Sequence, residues 1–140
     1  MKQHSATLTV RTRGPGLTDI TREVERALAK ADIAEGLATL FIRHTSASLV
    51  VQENADPDVL HDLEHFMRRI VSRDMALYRH NAEGADDMPA HVKCALLGTA
   101  LTIPIRDGAL ALGTWQGIHL GEHRDHGGSR QVLATAWGEA

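Results

Sequence analysis

The sequence contains a single cysteine and few aromatic residues, with two Phe, two Trp and one Tyr among 140 positions. Because Cys94 has no partner for an intramolecular bridge, the disulfide-stapled class of small domains is excluded, and we expect a reducing, cytoplasmic environment. With so few aromatic rings, we expect a hydrophobic core built mainly from Leu, Ile, Val and Ala. No apolar run is long enough to cross a bilayer. We also expect no signal peptide, since residues 1–5 lead directly into a strand-like segment.

The sequence also lacks a strong charge of either sign. Its formal net charge is −3, and acidic and basic residues are mixed along the chain. This balance argues against nucleic acid or a membrane surface as a partner. The length and a hydrophobic content of 43% predict a single globular domain over residues 1–140. Histidine is the abundant residue, with nine copies, so candidate sites are sought first among the imidazoles.

Hydrophobic periodicity in the first part of the chain predicts strands and one helix. Residues 6–11 alternate between apolar and polar side chains, as in a half-buried strand. Thr18 is predicted to cap a helix with apolar residues at helical spacing up to Ala31. Residues 37–42 are apolar on both faces and are predicted to form an interior strand, followed by another strand over residues 47–52.

The second part of the chain begins with a clear helix start, in which Asp56 is the N-cap and Pro57 the first helical residue. Residues 72–88 lose all periodicity, and an irregular stretch of this length in a small domain indicates function. A short helix is predicted from Pro89, and three strands are predicted over residues 99–105, 109–120 and 131–137. Strands and helices do not alternate regularly, which predicts an α+β fold, and the many strand edges favour oligomerisation.

The segment from His61 to His65 matches the H-x-x-E-H pattern of a class of zinc peptidases. Its two imidazoles, four residues apart, would point at one metal from a helix face. The same helix already has a complete apolar stripe on another face, and five-residue motifs occur often by chance. The favoured interpretation is therefore a solvated polar face.

Three other histidines form a more promising set, because each lies at the boundary of a different predicted element. His44 ends an apolar strand, His80 lies in the irregular stretch, and His91 is in the first turn of the helix opened by Pro89. Side chains from separate elements can meet at one site, although each histidine taken alone fits a structural role equally well. Thr45 and Ser46 follow His44 and offer hydroxyl groups, either to a phosphate or to an ordinary turn.

The glycine-flanked pair of Trp115 and Gln116 has two interpretations. Glycines allow close approach of a ligand or a second chain to the backbone, but the same pattern fits a hairpin with one buried aromatic ring. Cys94 falls on an apolar helix face and is predicted to be a buried structural thiol.

Taken together, these segments resemble the YjbQ family. The matching segments are residues 44–49, residues 53–59 with Asp62, residues 78–80, 89–93 and 108–116, and Glu122, spread over residues 5–138. The resemblance implies an α+β fold in which antiparallel or mixed sheets form a sandwich with about three helices. It also implies assembly of three copies around a threefold axis.

The resemblance further implies a histidine-rich pocket near the subunit interface. The implied catalytic residues are His44, His80, His91 and Asp62, with the three histidines as ligands of zinc or another transition metal. The implied substrate-binding residues are Thr45, Ser46, Asn54, Trp115, Gln116 and Glu122.

The activity implied by the resemblance is that of a secondary thiamine-phosphate synthase. This transferase joins a pyrimidine pyrophosphate to a thiazole phosphate and releases pyrophosphate. Departure of pyrophosphate usually requires Mg²⁺, which Glu53, Asp62, Asp86 or Asp87 could bind, whereas a histidine cluster suits a transition metal or an anion. The alternative is a non-catalytic trimer that binds a metal or an anionic metabolite. The expected partners are a small phosphorylated molecule and two further copies of the chain.

Overall fold

The structure of the protein is a computed structural model that describes all residues, 1–140. It contains eight β-strands, three α-helices and two short 3-10 turns. The strands are β1 Lys2–Arg11, β2 Gly16–Asp19, β3 Glu35–Ile42, β4 Ala47–Glu53, β5 Ala100–Arg106, β6 Ala109–Leu110, β7 Gln116–Glu122 and β8 Ser129–Glu139. The helices are α1 Thr21–Leu28, α2 Pro57–Ile70 and α3 Asp87–Leu97, and the 3-10 turns are Ala29–Ala31 and Met75–Leu77.

The strands form two antiparallel sheets. The larger sheet has the order β1-β8-β3-β5-β6, and the smaller one has the order β2-β7-β4. Strand β3 lies between β8 and β5, so the prediction of an interior strand is confirmed. The α+β architecture with three helices is likewise confirmed.

One hydrophobic core lies between the two sheets and α1. It contains 18 buried residues drawn from β1, β3, β4, β5, β7, β8 and the α1 region. Every one of them is Leu, Ile, Val or Ala, as the scarcity of aromatic residues predicts. Since both sheets contribute to the same cluster, they fold as one unit around shared apolar surface.

The helix ends follow from local chemistry. The side chain of Asp56 accepts a hydrogen bond from the backbone N–H of Asp58, which confirms it as the N-cap of α2. Helix α3 ends at Gly98, whose φ of +95° lies in a region that side chains with a Cβ rarely adopt. Cys94 on this helix is buried, as predicted, and burial raises the pKa of its thiol.

Three sequence predictions need correction. Thr18 does not cap a helix, because Gly16–Asp19 pairs with β7 as a strand and α1 begins at Thr21, with the Asp19 side chain accepting from the Thr21 N–H. Strand pairing to β7 outweighs the weak capping signal. The predicted strand over residues 109–120 is two strands separated by a turn. Helix α3 begins at Asp87 rather than at Pro89.

Some apolar surface remains uncovered in the single chain. Phe41 on the outer face of the larger sheet is 48% exposed, and Phe66 and Ile70 on α2 are 55% and 54% exposed. Such surface is what an interface between copies would bury. The homotrimer stays a prediction. None of the three α-helices has the length and apolar composition of a membrane span.

Two histidines are buried on the outer side of the small sheet, His119 on β7 and His123 directly after it. His119 is fully buried, and the ring of His123 shares a hydrogen bond of 2.8 Å with the hydroxyl of Ser48 on the neighbouring strand β4. Burial lowers the pKa of His123 to about 4, and the positive charges of Lys93 and Arg130 act in the same direction. His123 is therefore neutral in the folded protein at neutral pH.

This burial predicts a loss of stability in acid. An imidazole with a pKa of 6.5 unfolded and about 4 folded binds more protons when unfolded, so the folded state loses stability as pH falls from 6.5 to 4. We expect His123 to account for a decrease of about 3 kcal/mol in the free energy of unfolding over this range. Chemical denaturation of His123→Gln at several pH values should show a smaller decrease. The exposed control His126→Gln should behave like the wild type, and an unchanged pH dependence in His123→Gln would contradict the assignment.

Candidate functional site

Two elements bring together the candidate site. His80 lies in the loop that follows the Met75–Leu77 turn, and Asp87 and His91 are on α3. Residues four positions apart in a helix point to the same side, so Asp87 and His91 face the same loop. One ligand atom from each of His80, Asp87 and His91 lies within 4.8 Å of the other two. We call these three residues the His-Asp cluster.

Both imidazoles converge on the same carboxylate oxygen. Oδ2 of Asp87 is 2.6 Å from Nε2 of His80 and 3.2 Å from Nε2 of His91. The Asp87 side chain is only 3% exposed, whereas those of His80 and His91 are 45% and 31% exposed. The cluster therefore has a rigid carboxylate at its base and two rings at its open side.

A backbone carbonyl fixes the orientation of the His91 ring. Nδ1 of His91 lies 2.7 Å from the carbonyl oxygen of Thr45. A carbonyl oxygen only accepts, so Nδ1 must be the protonated nitrogen, and Nε2 of the neutral ring presents its lone pair towards Asp87. This hydrogen bond is the kind that orients histidine ligands in metal sites.

Arg124 forms ion pairs with two carboxylates at the base of the cluster. Its Nη1 lies 2.7 Å from Oδ1 of Asp87, and its Nε lies 2.8 Å from Oδ2 of Asp86. Burial would raise the pKa of Asp87, but the hydrogen bond with His80 and the charge of Arg124 hold it below its usual range. The hydrogen bond from Arg124 lowers the pKa of Asp86 to about 2. Both carboxyl groups are thus ionised at neutral pH.

His44 is not part of the cluster within the chain. Its Nε2 accepts a hydrogen bond of 2.8 Å from the backbone N–H of Gln131. Burial, together with the charge of Arg130, lowers the pKa of His44, which favours the neutral ring with Nδ1 protonated. Neither nitrogen then has a free lone pair. The structure brings His80 and His91 together, and within the chain Asp87 takes the place predicted for His44.

Ser46 and Glu122 belong to a buried ionic network next to the cluster. The carboxylate of Glu122, 1% exposed, accepts hydrogen bonds from Nε of Arg130, from the hydroxyl of Thr12 and from the backbone N–H of Arg124. Nη2 of Arg130 also donates to the hydroxyl of Ser46 at 3.1 Å. Burial raises the pKa of Glu122, but the hydrogen bonds from Arg130 and Thr12 bring it below its usual value. Both residues are placed to support the site rather than to face a substrate.

Asn54, Trp115 and Gln116 lie at the opposite end of the small sheet. The amide of Asn54 donates to the carbonyl oxygens of Thr114 and Gln116, and Trp115 is 64% exposed. Strand β4 runs seven residues between this end and the Thr45 end, which is roughly 20 Å at about 3.3 Å per residue. Within one chain, these three predicted substrate-binding residues are therefore far from the His-Asp cluster.

The structure places the remaining acidic and histidine candidates on the surface. Asp62 is on α2 with its side chain 83% exposed. His61 and His65 stack at a ring-centroid distance of 4.2 Å on the exposed face of the same helix, as the solvated-face interpretation predicts. The carboxylate of Glu53 accepts from the backbone N–H of Ala55, in the turn that precedes α2. Of the carboxylates suggested for Mg²⁺, those of Asp86 and Asp87 lie together but both pair with Arg124, whereas Asp62 is exposed on α2.

Comparison with known proteins places this chain in a family. The family model described as "UPF0047 protein YjbQ-like" matches residues 6–139. The chain belongs to the UPF0047 family of YjbQ-like proteins. It is 50% identical to the YjbQ protein of Salmonella typhimurium, over 98% of both chains. It is also 46% identical to a UPF0047 protein of a Synechocystis species, over 99% of this chain and 94% of the other.

Solved structures of relatives have the same fold. A hypothetical protein from Aeropyrum pernix, 31% identical, superimposes with a TM-score of 0.87 over 97% of this chain and 99% of its own. The names of these relatives state no activity. The chemistry of this YjbQ-like chain is therefore argued from its own side chains.

The arginine at the base of the cluster gives a test of this geometry. Replacing Arg124 by Met leaves the carboxylates of Asp86 and Asp87 close together without their common cation. We expect a loss of about 3 kcal/mol in the free energy of unfolding, because two neighbouring, largely buried carboxylates lose the cation that they share. Arg106→Met, which removes an exposed arginine without an ion pair, is the control and should change stability by less than about 0.5 kcal/mol. Equal unfolding free energies for the two variants in urea denaturation would contradict the role of Arg124.

Proposed function

We propose that the His-Asp cluster binds a divalent transition metal ion, with zinc as the best candidate. The proposal is carried by one observation, the convergence of two imidazole nitrogens and one carboxylate oxygen within 4.8 Å of one another. Two imidazoles and a carboxylate are a common zinc ligand set in enzymes. Mg²⁺ prefers oxygen ligands only and suits these donors less well.

The spacing of the donor atoms supports this ligand set. Two ligand atoms on a tetrahedral zinc ion, each about 2.0–2.1 Å from the metal, lie roughly 3.3 Å apart. The distance of 3.2 Å between His91 and Asp87 already has this value, and His80, at 2.6 Å from Asp87, would have to retreat by less than 1 Å. His80 is in a loop, so this adjustment needs no change in α3.

A three-residue ligand set also supports a reactive rather than a purely structural role. Structural zinc sites use four protein ligands, whereas catalytic sites keep one position for water or substrate. The rings of His80 and His91 are partly exposed, so water or a substrate could reach a metal ion held by these residues. A bound metal would supply Lewis-acid stabilisation of an anionic substrate oxygen.

The metal proposal can be tested on protein purified without a polyhistidine tag. We expect about one zinc ion per chain by elemental analysis, and loss of at least about 100-fold in affinity for Asp87→Asn or His91→Ala. His65→Ala, which removes an exposed histidine on α2, should bind zinc like the wild type. Equal zinc affinity in the wild type, His91→Ala and Asp87→Asn would refute the assignment.

We further propose that the site acts on a small phosphorylated molecule, with thiamine-phosphate synthesis as the leading named reaction. A bound metal ion with one open position would offer positive charge to phosphate oxygens. The activity in this proposal comes from the family resemblance. The His-Asp cluster is the proposed location of the reaction. The active unit would be the homotrimer. In this assembly, His44 or Trp115 of a second copy could lie near the cluster, although neither does so within one chain.

Turnover is tested by measuring release of pyrophosphate from the pyrimidine pyrophosphate in the presence of the thiazole phosphate. We expect zinc-loaded wild-type protein to release pyrophosphate, and Asp87→Asn to lower the rate by at least about 100-fold. His65→Ala again serves as the matched control. Metal binding without any pyrophosphate release would exclude this reaction and favour the alternative, a trimer that binds a metal or an anionic metabolite without turnover.

A further inference from the structure

A polar cavity lies beside α3, outside the His-Asp cluster. It has a volume of about 250 Å³ and is lined by Pro15, Arg68, Val71, Arg73, Lys93 and Asp125. These residues come from the turn after β1, the end of α2, the segment that follows it, α3 and the loop after β7. Three of the six side chains are cationic and one is anionic, so the lining has a formal charge of +2.

Lys93 is the exceptional residue in this cavity. It is only 7% exposed, yet its ammonium group makes no hydrogen bond or ion pair with any group of the chain. The Lys93 side chain is thus largely covered by protein, whereas its Nζ keeps contact with solvent. The ammonium group thus has unused capacity for three hydrogen bonds.

The neighbouring acidic groups are already engaged. Asp125 accepts two hydrogen bonds from Arg73, at 2.9 and 2.8 Å, in a bidentate pair. Arg68 lies 3.6 Å from Glu64, a looser pair whose arginine side chain is 56% exposed. Neither of these two carboxylates forms an ion pair with Lys93.

We propose that this cavity binds the phosphate group of a small molecule, with Lys93 as its central donor and Arg68 and Arg73 at the rim. A phosphate has several strong acceptor oxygens and carries up to two negative charges, which matches the +2 lining better than a singly charged carboxylate does. Ligand charge in the cavity would offset the desolvation of Lys93. The cavity shares no residue with the His-Asp cluster, so the proposal does not rest on metal binding.

The test uses metal-free protein, so that the His-Asp cluster cannot bind the anion through a metal ion. Inorganic phosphate and glycerol 3-phosphate are titrated separately by calorimetry in a phosphate-free buffer of low ionic strength. We expect both to bind to the wild type, and Lys93→Met to weaken binding at least about tenfold, since it keeps the length of the side chain and removes its charge. Lys30→Met, at an exposed position of the Ala29–Ala31 turn, is the matched control and should bind like the wild type.

Two further variants and the comparison of the two anions complete the test. Arg68→Met, on an exposed rim position, should weaken binding without affecting folding, and it replaces Lys93→Met if that variant does not fold. His91→Ala should bind phosphate like the metal-free wild type, which separates this cavity from the His-Asp cluster. Tighter binding of glycerol 3-phosphate than of inorganic phosphate would identify an organic phosphate ester as the ligand class, and equal binding would identify the phosphate group alone. The proposal is overturned if folded wild type binds neither anion, or if Lys93→Met and Arg68→Met both bind them as well as Lys30→Met does.

Discussion

The candidate site depends on the buried carboxylate of Glu122, which joins both sheets at one end of the sandwich. Glu122 ends β7 of the small sheet, and its oxygens accept hydrogen bonds from Thr12, directly after β1, and from Arg130 on β8 of the large sheet. Arg130 in turn donates to Ser46, in the connection between β3 and β4. A buried ion pair of this kind contributes little net stability compared with apolar packing, but it requires a specific arrangement of its partners. Here it fixes the relative position of four chain segments.

The His-Asp cluster receives its geometry from those segments. The backbone N–H of Arg124 donates to Glu122, which places the Arg124 guanidinium against Asp86 and Asp87. One residue before Ser46, the carbonyl of Thr45 sets the tautomer and the orientation of His91. The proposed ligands are thus held by backbone groups and by a charge network within the fold, which is the preorganisation that a metal site needs.

The sequence patterns predicted most of the strands, the start of α2 and the composition of the core, because these depend on local periodicity and on capping. The third member of the cluster was missed for a specific reason. Because the short helix was predicted to begin at Pro89, Asp87 was assigned to the irregular stretch before it. The spacing of four residues between Asp87 and His91 could therefore not be interpreted as one turn of a helix. A helix beginning at Asp87 would have paired Asp87 with His91 directly.

The roles of Arg124, Arg130 and His44 could not be derived from local patterns. Each depends on contacts between residues distant in sequence, such as the 87 positions that separate His44 from its donor Gln131. An alternating strand pattern tells which side of a sheet a residue faces but not which loop lies opposite. Histidine content therefore pointed to two residues that meet in the structure, His80 and His91, whereas their contact with Asp87 could be found only from the fold.

The three buried charged residues differ in whether the chain itself supplies an oppositely charged partner. The buried charged residues are Asp87, Lys93 and Glu122, all near the end of the sandwich where α3 meets the last residues of β7. Asp87 and Glu122 each have an arginine partner, so the fold alone accounts for their ionised state. Lys93 has none, so its charge is balanced by solvent or by a ligand, and the two arginines that line the same cavity favour an anion as that ligand.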